Sequence, residues 1–256
     1  MTTTQSYSVD ELITITAARE LVDNSVVFAG IGLPTLAVSL AQNTTATNLE
    51  VIYESGVCGA HPSELPSTIA DAVLITDSEA VLTISALFGY VLQGGRIDVG
   101  FLGAAQIDKH GNLNSSVIGD WDAPAKRLPG SGGAHEVLAN ANETFVIMRR
   151  HTARAFVKEL DFCTSAGPDR VIAEGGTPRS RGVTKVFTEY GVMSRAGAGE
   201  ELTLTAIHRG ITAEDVVAAT GWELQVSPEL TVIAPPTEAE LALLRDEIDP
   251  SGVYLR

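Results

Sequence analysis

The chain has 256 residues, enough for one large α/β domain that buries about three quarters of the surface its unfolded form exposes. Its 45 % hydrophobic and 19 % charged content suits a globular protein with a substantial core. A net charge of −15 repels phosphate backbones, and 5 % aromatics makes a poor base-stacking platform, so nucleic acid is excluded as a partner.

A small anionic ligand stays compatible with this charge, because it needs only a local cationic pocket. Cys58 and Cys163 show neither metal-ligand spacing nor a disulfide framework, which predicts no metal site and a reducing, cytoplasmic setting. Met1 to Tyr7 is polar and carries no signal region. No apolar run approaches the ~18 residues of a membrane span. No repeat, low-complexity tract or linker interrupts the chain, so residues 1–256 read as a single domain.

In chain order, Ser8-Val9-Asp10-Glu11 is a capping box. The helical spacing of Leu12, Ile15, Ala18, Leu21 and Val22 continues from it. Ser25 to Ala29 reads as a buried strand running into Gly30-Ile31-Gly32-Leu33-Pro34, then a short helix from Thr35 to Gln42. A G-x-G followed by Pro lacks the rest of the dinucleotide fingerprint. These glycines either let backbone amides approach a ligand at the sheet edge or simply make the turn.

Leu49 to Tyr53 is an apolar, β-rich run ending in Glu54-Ser55-Gly56. Ligands of open α/β sheets bind beyond the carboxyl ends of the strands, so Glu54 is a candidate catalytic carboxylate. The competing reading is a solvated charge at a strand end. A loop with His61 follows, and His61 receives no role. Glu79 to Leu92 reads as a helix stopped by Gln93-Gly94-Gly95, and Ile97 to Ala105 as the next strand.

Gln106 to Asn112 is a turn, in which Asn112 is turn chemistry. Asn114 lies past it between apolar neighbours, so its amide must be hydrogen-bonded. Pro129-Gly130-Ser131-Gly132-Gly133-Ala134 opens a helix through Asn140. Glycines before a helix N-terminus aim several N–H groups at one point, an anion site or oxyanion hole. The alternative is a flexible linker. Thr144 to Met148 is a strand, Gly167 to Arg181 a surface loop, and Thr184 to Met193 a hairpin. A strand at Glu201–Ile207, a helix at Thr212–Ala219 and a capping box at Thr237–Glu240 complete the reading.

Four of these stretches together resemble the β subunits of class I coenzyme A transferases: Tyr53-Glu54-Ser55-Gly56, Gly103 to Asp108, Gly111-Asn112-Leu113-Asn114 and Gly130 to Ala134. The resemblance covers nearly the whole chain. Leu92 to Gly103 is most similar to the 3-oxoadipate branch, and the glutaconate branch is similar too. Many members carry S-E-N-G where this chain has Tyr53-Glu54-Ser55-Gly56, a departure that keeps the carboxylate. A hydrolase branch lacks this glutamate.

The resemblance implies an open three-layer α/β/α sandwich with a mostly parallel sheet. It also implies an α-subunit partner, in an α2β2 assembly, with the site built between the two chains. Coenzyme A enters as substrate, so no cofactor is expected. Glu54 would be the nucleophile, with Gly130, Gly132, Gly133 and Asn114 binding substrate or the oxyanion. The substrates would be succinyl-CoA and 3-oxoadipate, as in the β-ketoadipate route of aromatic degradation. Alternatives are glutaconate or another dicarboxylate or 3-oxoacid, or a non-catalytic metabolite sensor on the same fold. Arg96, Lys126 and Arg127 are candidates for anion binding, each equally readable as surface charge.

Overall fold

Ser8 and Glu11 form the capping box read from the sequence. The Ser8 N–H donates to the Glu11 carboxylate at 2.6 Å, and the Glu11 N–H donates to Ser8 Oγ at 3.2 Å. They start α1 (Val9–Ala18), whose Leu12, Ile13 and Ile15 are buried. The structure is a computed structural model describing residues 7–62 and 64–255; the polar stretch Met1–Ser6 lies outside the described residues. The chain divides into two compact units, one of residues up to 84 together with 234 onward, the other of residues 85–233.

In the first unit, β1 (Val26–Ala29) pairs in parallel with β2 (Glu50–Tyr53), in register from Val26 opposite Glu50 to Ala29 opposite Tyr53. Between them runs α2 (Leu33–Gln42), which packs against α1. β3 (Val57–Cys58) turns back antiparallel to β2, and β4 (Ala80–Val81) pairs antiparallel to β3. The second capping box forms at Thr237 and starts the helix Glu238–Ala242, continued by a wider turn, Leu243–Ile248. This C-terminal segment is tied to α1 by Arg19 on Glu240 at 2.6 Å and by Arg245 on Glu11.

In the second unit, β5 (Val99–Leu102), β10 (Glu143–Ile147) and β11 (Val183–Phe187) run parallel. β12 (Gly191–Ser194) and β13 (Thr203–Ile207) add antiparallel neighbours, and β14 (Gln225–Val232) pairs in parallel with β13. The strand order in this unit is therefore β14-β13-β12-β11-β10-β5. Two short hairpins lie outside this sheet: β6 (Gln106–Ile107) with β7 (Leu113–Asn114), and β8 (Val117–Gly119) with β9 (Pro124–Arg127). Phe101, Phe145 and Phe187 pack edge to face at 5.7 and 5.6 Å between ring centres, the geometry aromatic quadrupoles favour. The α/β class read from the sequence is the class observed, with helices flanking parallel strands. Among the described residues no helix is long and apolar enough to cross a membrane.

Three local readings differ. The helix expected from Glu79 begins only at Ile84, because Ala80 and Val81 pair with Cys58 and Val57 as β4. The expected surface loop after Gly167 contains a helix, Pro168–Ala173, with proline at its first turn where no N–H is needed. β14 has no counterpart in the sequence reading. Pro228 lies within it, and the ladder tolerates proline there because β14 is an edge strand.

Candidate active site

The parallel register brings two loops to one edge of the first unit. Ala29 stands opposite Tyr53, so Gly30 and Glu54 leave adjacent strands at the same carboxyl end. The Gly56 N–H donates to the Tyr53 carbonyl at 2.9 Å, which closes a tight turn with Glu54 and Ser55 at its centre. Glu54 is partly exposed, and its carboxylate has no hydrogen-bond or ion-pair partner among the described residues. Tyr53, by contrast, is sealed in the core, and burial pushes its phenol up to about 12. Its hydroxyl is hydrogen-bonded to that of Thr35, which in turn donates to the Gly30 carbonyl at 2.9 Å. Strand end, glycine loop and helix start are thereby held together beneath Glu54.

Gly56 has a structural duty in this turn. It sits at φ +103°, and a Cβ there would lie 2.0 Å from the Leu82 carbonyl oxygen. The Leu82 N–H also donates to the Gly56 carbonyl at 2.9 Å. Gly56→Ala is therefore expected to lose about 1–3 kcal/mol to backbone strain, seen as a melting temperature lower by roughly 2–10 °C. An unchanged melt would show that the turn relaxes without cost.

Gly30 and Gly32 support the backbone-approach reading of their loop. Gly32 is the N-cap of α2 at φ +103°, and no side chain caps that end. Cys58, four residues past Glu54, is not a competing nucleophile. Burial, then the carboxylates of Glu50 and Glu79, raise its thiol pKa, and the thiol faces the Gly56 carbonyl.

The other predicted site residues lie in the second unit and come together there. Asn114 is fully buried. Its Nδ2 donates to Gln106 Oε1 at 2.8 Å and to the Val117 carbonyl at 2.7 Å, and its Oδ1 accepts from the Ser116 N–H at 3.0 Å. Both amide protons are thus used inside the protein, and Asn114 shapes the loop at residues 115–118. That loop carries the glycine segment: the Gly130 N–H donates to the Ser115 carbonyl and Ser115 Oγ donates to the Gly130 carbonyl, both at 2.9 Å. Gly130 and Gly132 adopt φ of +96° and +47°, while Gly133, the N-cap of helix Ala134–Asn140, has φ −81°. Among the described residues the N–H groups of Gly132 and Gly133 have no partner. The segment is anchored at both ends, which removes the flexible-linker reading.

The candidate cations are placed less usefully. Arg96 and Lys126 are exposed. Arg127 lies 4.4 Å over the Trp121 ring, whose plane stacks on Phe162 at 4.7 Å, so its charge serves the β8–β9 hairpin. His61 is exposed, 3.4 Å from the Gln42 amide and away from the Glu54 turn in sequence and strand order. Sequence reasoning missed Arg195. It is buried and donates to the carbonyls of His110 and Gly197 and to Asp169. This guanidinium fixes the Asp108–Asn112 turn from a distant strand. Burial pushes the Asp169 carboxyl up, but the Gly199 N–H and Arg195 outweigh it and hold the pKa below its usual value.

Residues 11–219 match the family described as Coenzyme A transferase. A 3-oxoadipate CoA-transferase subunit from Pseudomonas knackmussii is 42 % identical over 246 residues, covering 94 % of this chain and 93 % of the relative. The crystal structure of glutaconate coenzyme A-transferase from Acidaminococcus fermentans aligns with a TM-score of 0.90 at 29 % identity, covering 98 % of each chain. The cholesterol ring-cleaving hydrolase IpdB subunit of Rhodococcus jostii is 28 % identical over 221 residues, covering 86 % of this chain and 83 % of the relative. The family match and the first of these relatives each span most of the sequence, and the chain belongs to the coenzyme A transferase family.

Proposed function

We propose that this chain is the glutamate-bearing subunit of a two-subunit CoA transferase that moves CoA from succinyl-CoA to 3-oxoadipate, in cytoplasmic degradation of aromatic compounds. The observation that carries the reading is Glu54, an unpaired carboxylate on a rigid turn at the carboxyl end of a parallel strand. A positioned, desolvated carboxylate is an effective nucleophile. It attacks the thioester carbonyl, and CoA thiolate leaves from the resulting acyl-glutamyl anhydride. The thiolate then attacks the glutamyl carbonyl, giving an enzyme–CoA thioester and free succinate. The acceptor acid reverses these steps. Each addition passes through an oxyanion, and in this reading the N–H groups of Gly132 and Gly133 stabilise it, with Gly130 and Asn114 holding their loop. The chemistry needs no bound cofactor or metal.

The family match alone would not choose this chemistry, since a relative named as a hydrolase shares the fold. Glu54 favours transfer. The 42 % relative favours 3-oxoadipate as acceptor, while the close structural match keeps glutaconate, or another dicarboxylate or 3-oxoacid, as the second reading. Both of those relatives are named for CoA transfer, which supports a partner α subunit here and an α2β2 assembly. The chain alone is expected to show no transfer, and full activity is expected on mixing with its α subunit. A non-catalytic sensor makes the opposite forecast. Mixing the complex with succinyl-CoA and then hydroxylamine or borohydride should modify Glu54 alone. An unmodified Glu54, or equal turnover by the isolated chain, would refute the reading.

A further inference from the structure

Ser55 lies between Glu54 and Gly56 at the centre of the turn. Its hydroxyl oxygen is sealed from solvent and has no hydrogen-bond partner among the described residues. Serine in a turn ordinarily accepts from a backbone N–H a residue or two further on. That service is absent here, and the turn is closed by the backbone alone through Gly56 to Tyr53 and Gly59 to Val51, both at 2.9 Å. A buried hydroxyl left unmet costs about 1–3 kcal/mol. Alanine would fill the same space free of that cost. The adjacent residue carries the complementary deficit, an acceptor carboxylate with no donor.

We infer that Ser55 is a positioning residue for Glu54, its O–H turning about χ1 to donate to the Glu54 carboxyl group when the site is assembled. The inference rests on the covalent reading above. In the free enzyme the hydrogen bond holds one carboxylate oxygen, so that the other faces the incoming acyl carbonyl. In the enzyme–CoA thioester the same donor meets the glutamyl carbonyl oxygen. As the acceptor carboxylate adds there, a C–O bond forms, the C–S bond breaks and CoA thiolate departs. The serine keeps its proton throughout. The hydroxyl that is unmet in the isolated chain is thus met during the reaction.

The test uses the two-subunit complex with succinyl-CoA. Wild type, Ser55→Ala and Ser55→Cys are compared for melting temperature, KM and the single-turnover rate at which the hydroxylamine-sensitive glutamyl thioester forms. Ser55→Ala is expected to assemble and melt at or above the wild-type temperature, with KM within twofold. Its thioester is expected to form about tenfold more slowly, the loss of one hydrogen bond to a charged group. Ser55→Cys, nearly isosteric with a weak donor, should fall between. A Ser55→Ala rate within twofold of wild type overturns the inference, as does a slower rate that follows a lower melting temperature. A wild-type complex that forms no glutamyl adduct overturns the covalent reading itself, and the inference with it.

Discussion

Glu54→Gln is expected to stop CoA transfer while the complex stays folded and assembled. The amide keeps the length and shape of the side chain but cannot form the acyl anhydride, so the covalent route is closed. The loss should be on the order of 10⁴-fold or more in kcat, as when a covalent nucleophile is removed elsewhere. Glu54→Asp should be nearly as damaging. Withdrawing the carboxylate by one methylene takes it out of near-attack distance, and the turn has no slack with which to follow. Gly56 blocks its movement on one side, and the Tyr53–Thr35–Gly30 chain anchors it below. Melting temperatures should barely change, because the Glu54 carboxylate is partly exposed and makes no contact the fold depends on. Turnover of succinyl-CoA with 3-oxoadipate by the Glu54→Gln complex, measured beside its melt, decides the matter. A folded complex that still transfers CoA near the wild-type rate would remove Glu54 from the chemistry. Activity lost only in proportion to stability would return it to the solvated charge that its position also allowed.

Much of this turn is legible in the sequence because its signals are local. A β-rich run, a carboxylate and a glycine specify a strand end and a tight turn without help from distant residues. The capping boxes at Ser8, Thr212 and Thr237 are legible for the same reason, since each closes on itself within three residues. Legibility fails where the deciding partner is far away in the chain. Val81 has a helical pattern around it, yet Val57 makes it a strand. Asn112 and Asn114 look alike in sequence, but Asn112 accepts the Gly167 N–H at 2.7 Å while Asn114 grips Gln106 and Val117. Neither pairing can be read from spacing. Arg195 lies 85 residues from the carbonyl it holds at His110, and nothing in its own neighbourhood marks it as buried. Ser55 is silent in the sequence because an exposed turn serine and an unmet buried one are written the same way.

Acidification should destabilise the second unit well before its carboxylates titrate. His151 is almost wholly buried, stacked on Phe156 at 3.6 Å, with its ring nitrogens on the hydroxyls of Thr220 at 2.9 Å and Thr188 at 3.3 Å. Thr220 donates its own proton to the Val216 carbonyl, so it accepts from His151 Nε2 and leaves the ring neutral. His208 is buried beside it in the network, with Nε2 on the Thr188 carbonyl at 3.1 Å and Nδ1 unmet among the described residues. Burial pushes His151 down to about 3 and His208 down to about 4. In the unfolded chain both take up a proton near pH 6.5. The folded pKa values lie below the unfolded ones, so the unfolded state binds more protons between them. The stability is therefore fully present above pH ~6.5 and is lost as pH falls toward the folded values. Near pH 4.5 each histidine has cost about 2–3 kcal/mol. The lowered carboxylates Glu11, Asp169 and Glu240 add their losses only below their own unfolded values, at lower pH. Melting temperature against pH from 8 to 4.5 should fall with a slope near two protons, and His208→Gln, which keeps a donor for the Thr188 carbonyl, should remove about one of them. A slope indifferent to His208→Gln would mean that the histidine stays neutral for free, or that other groups carry the acid response.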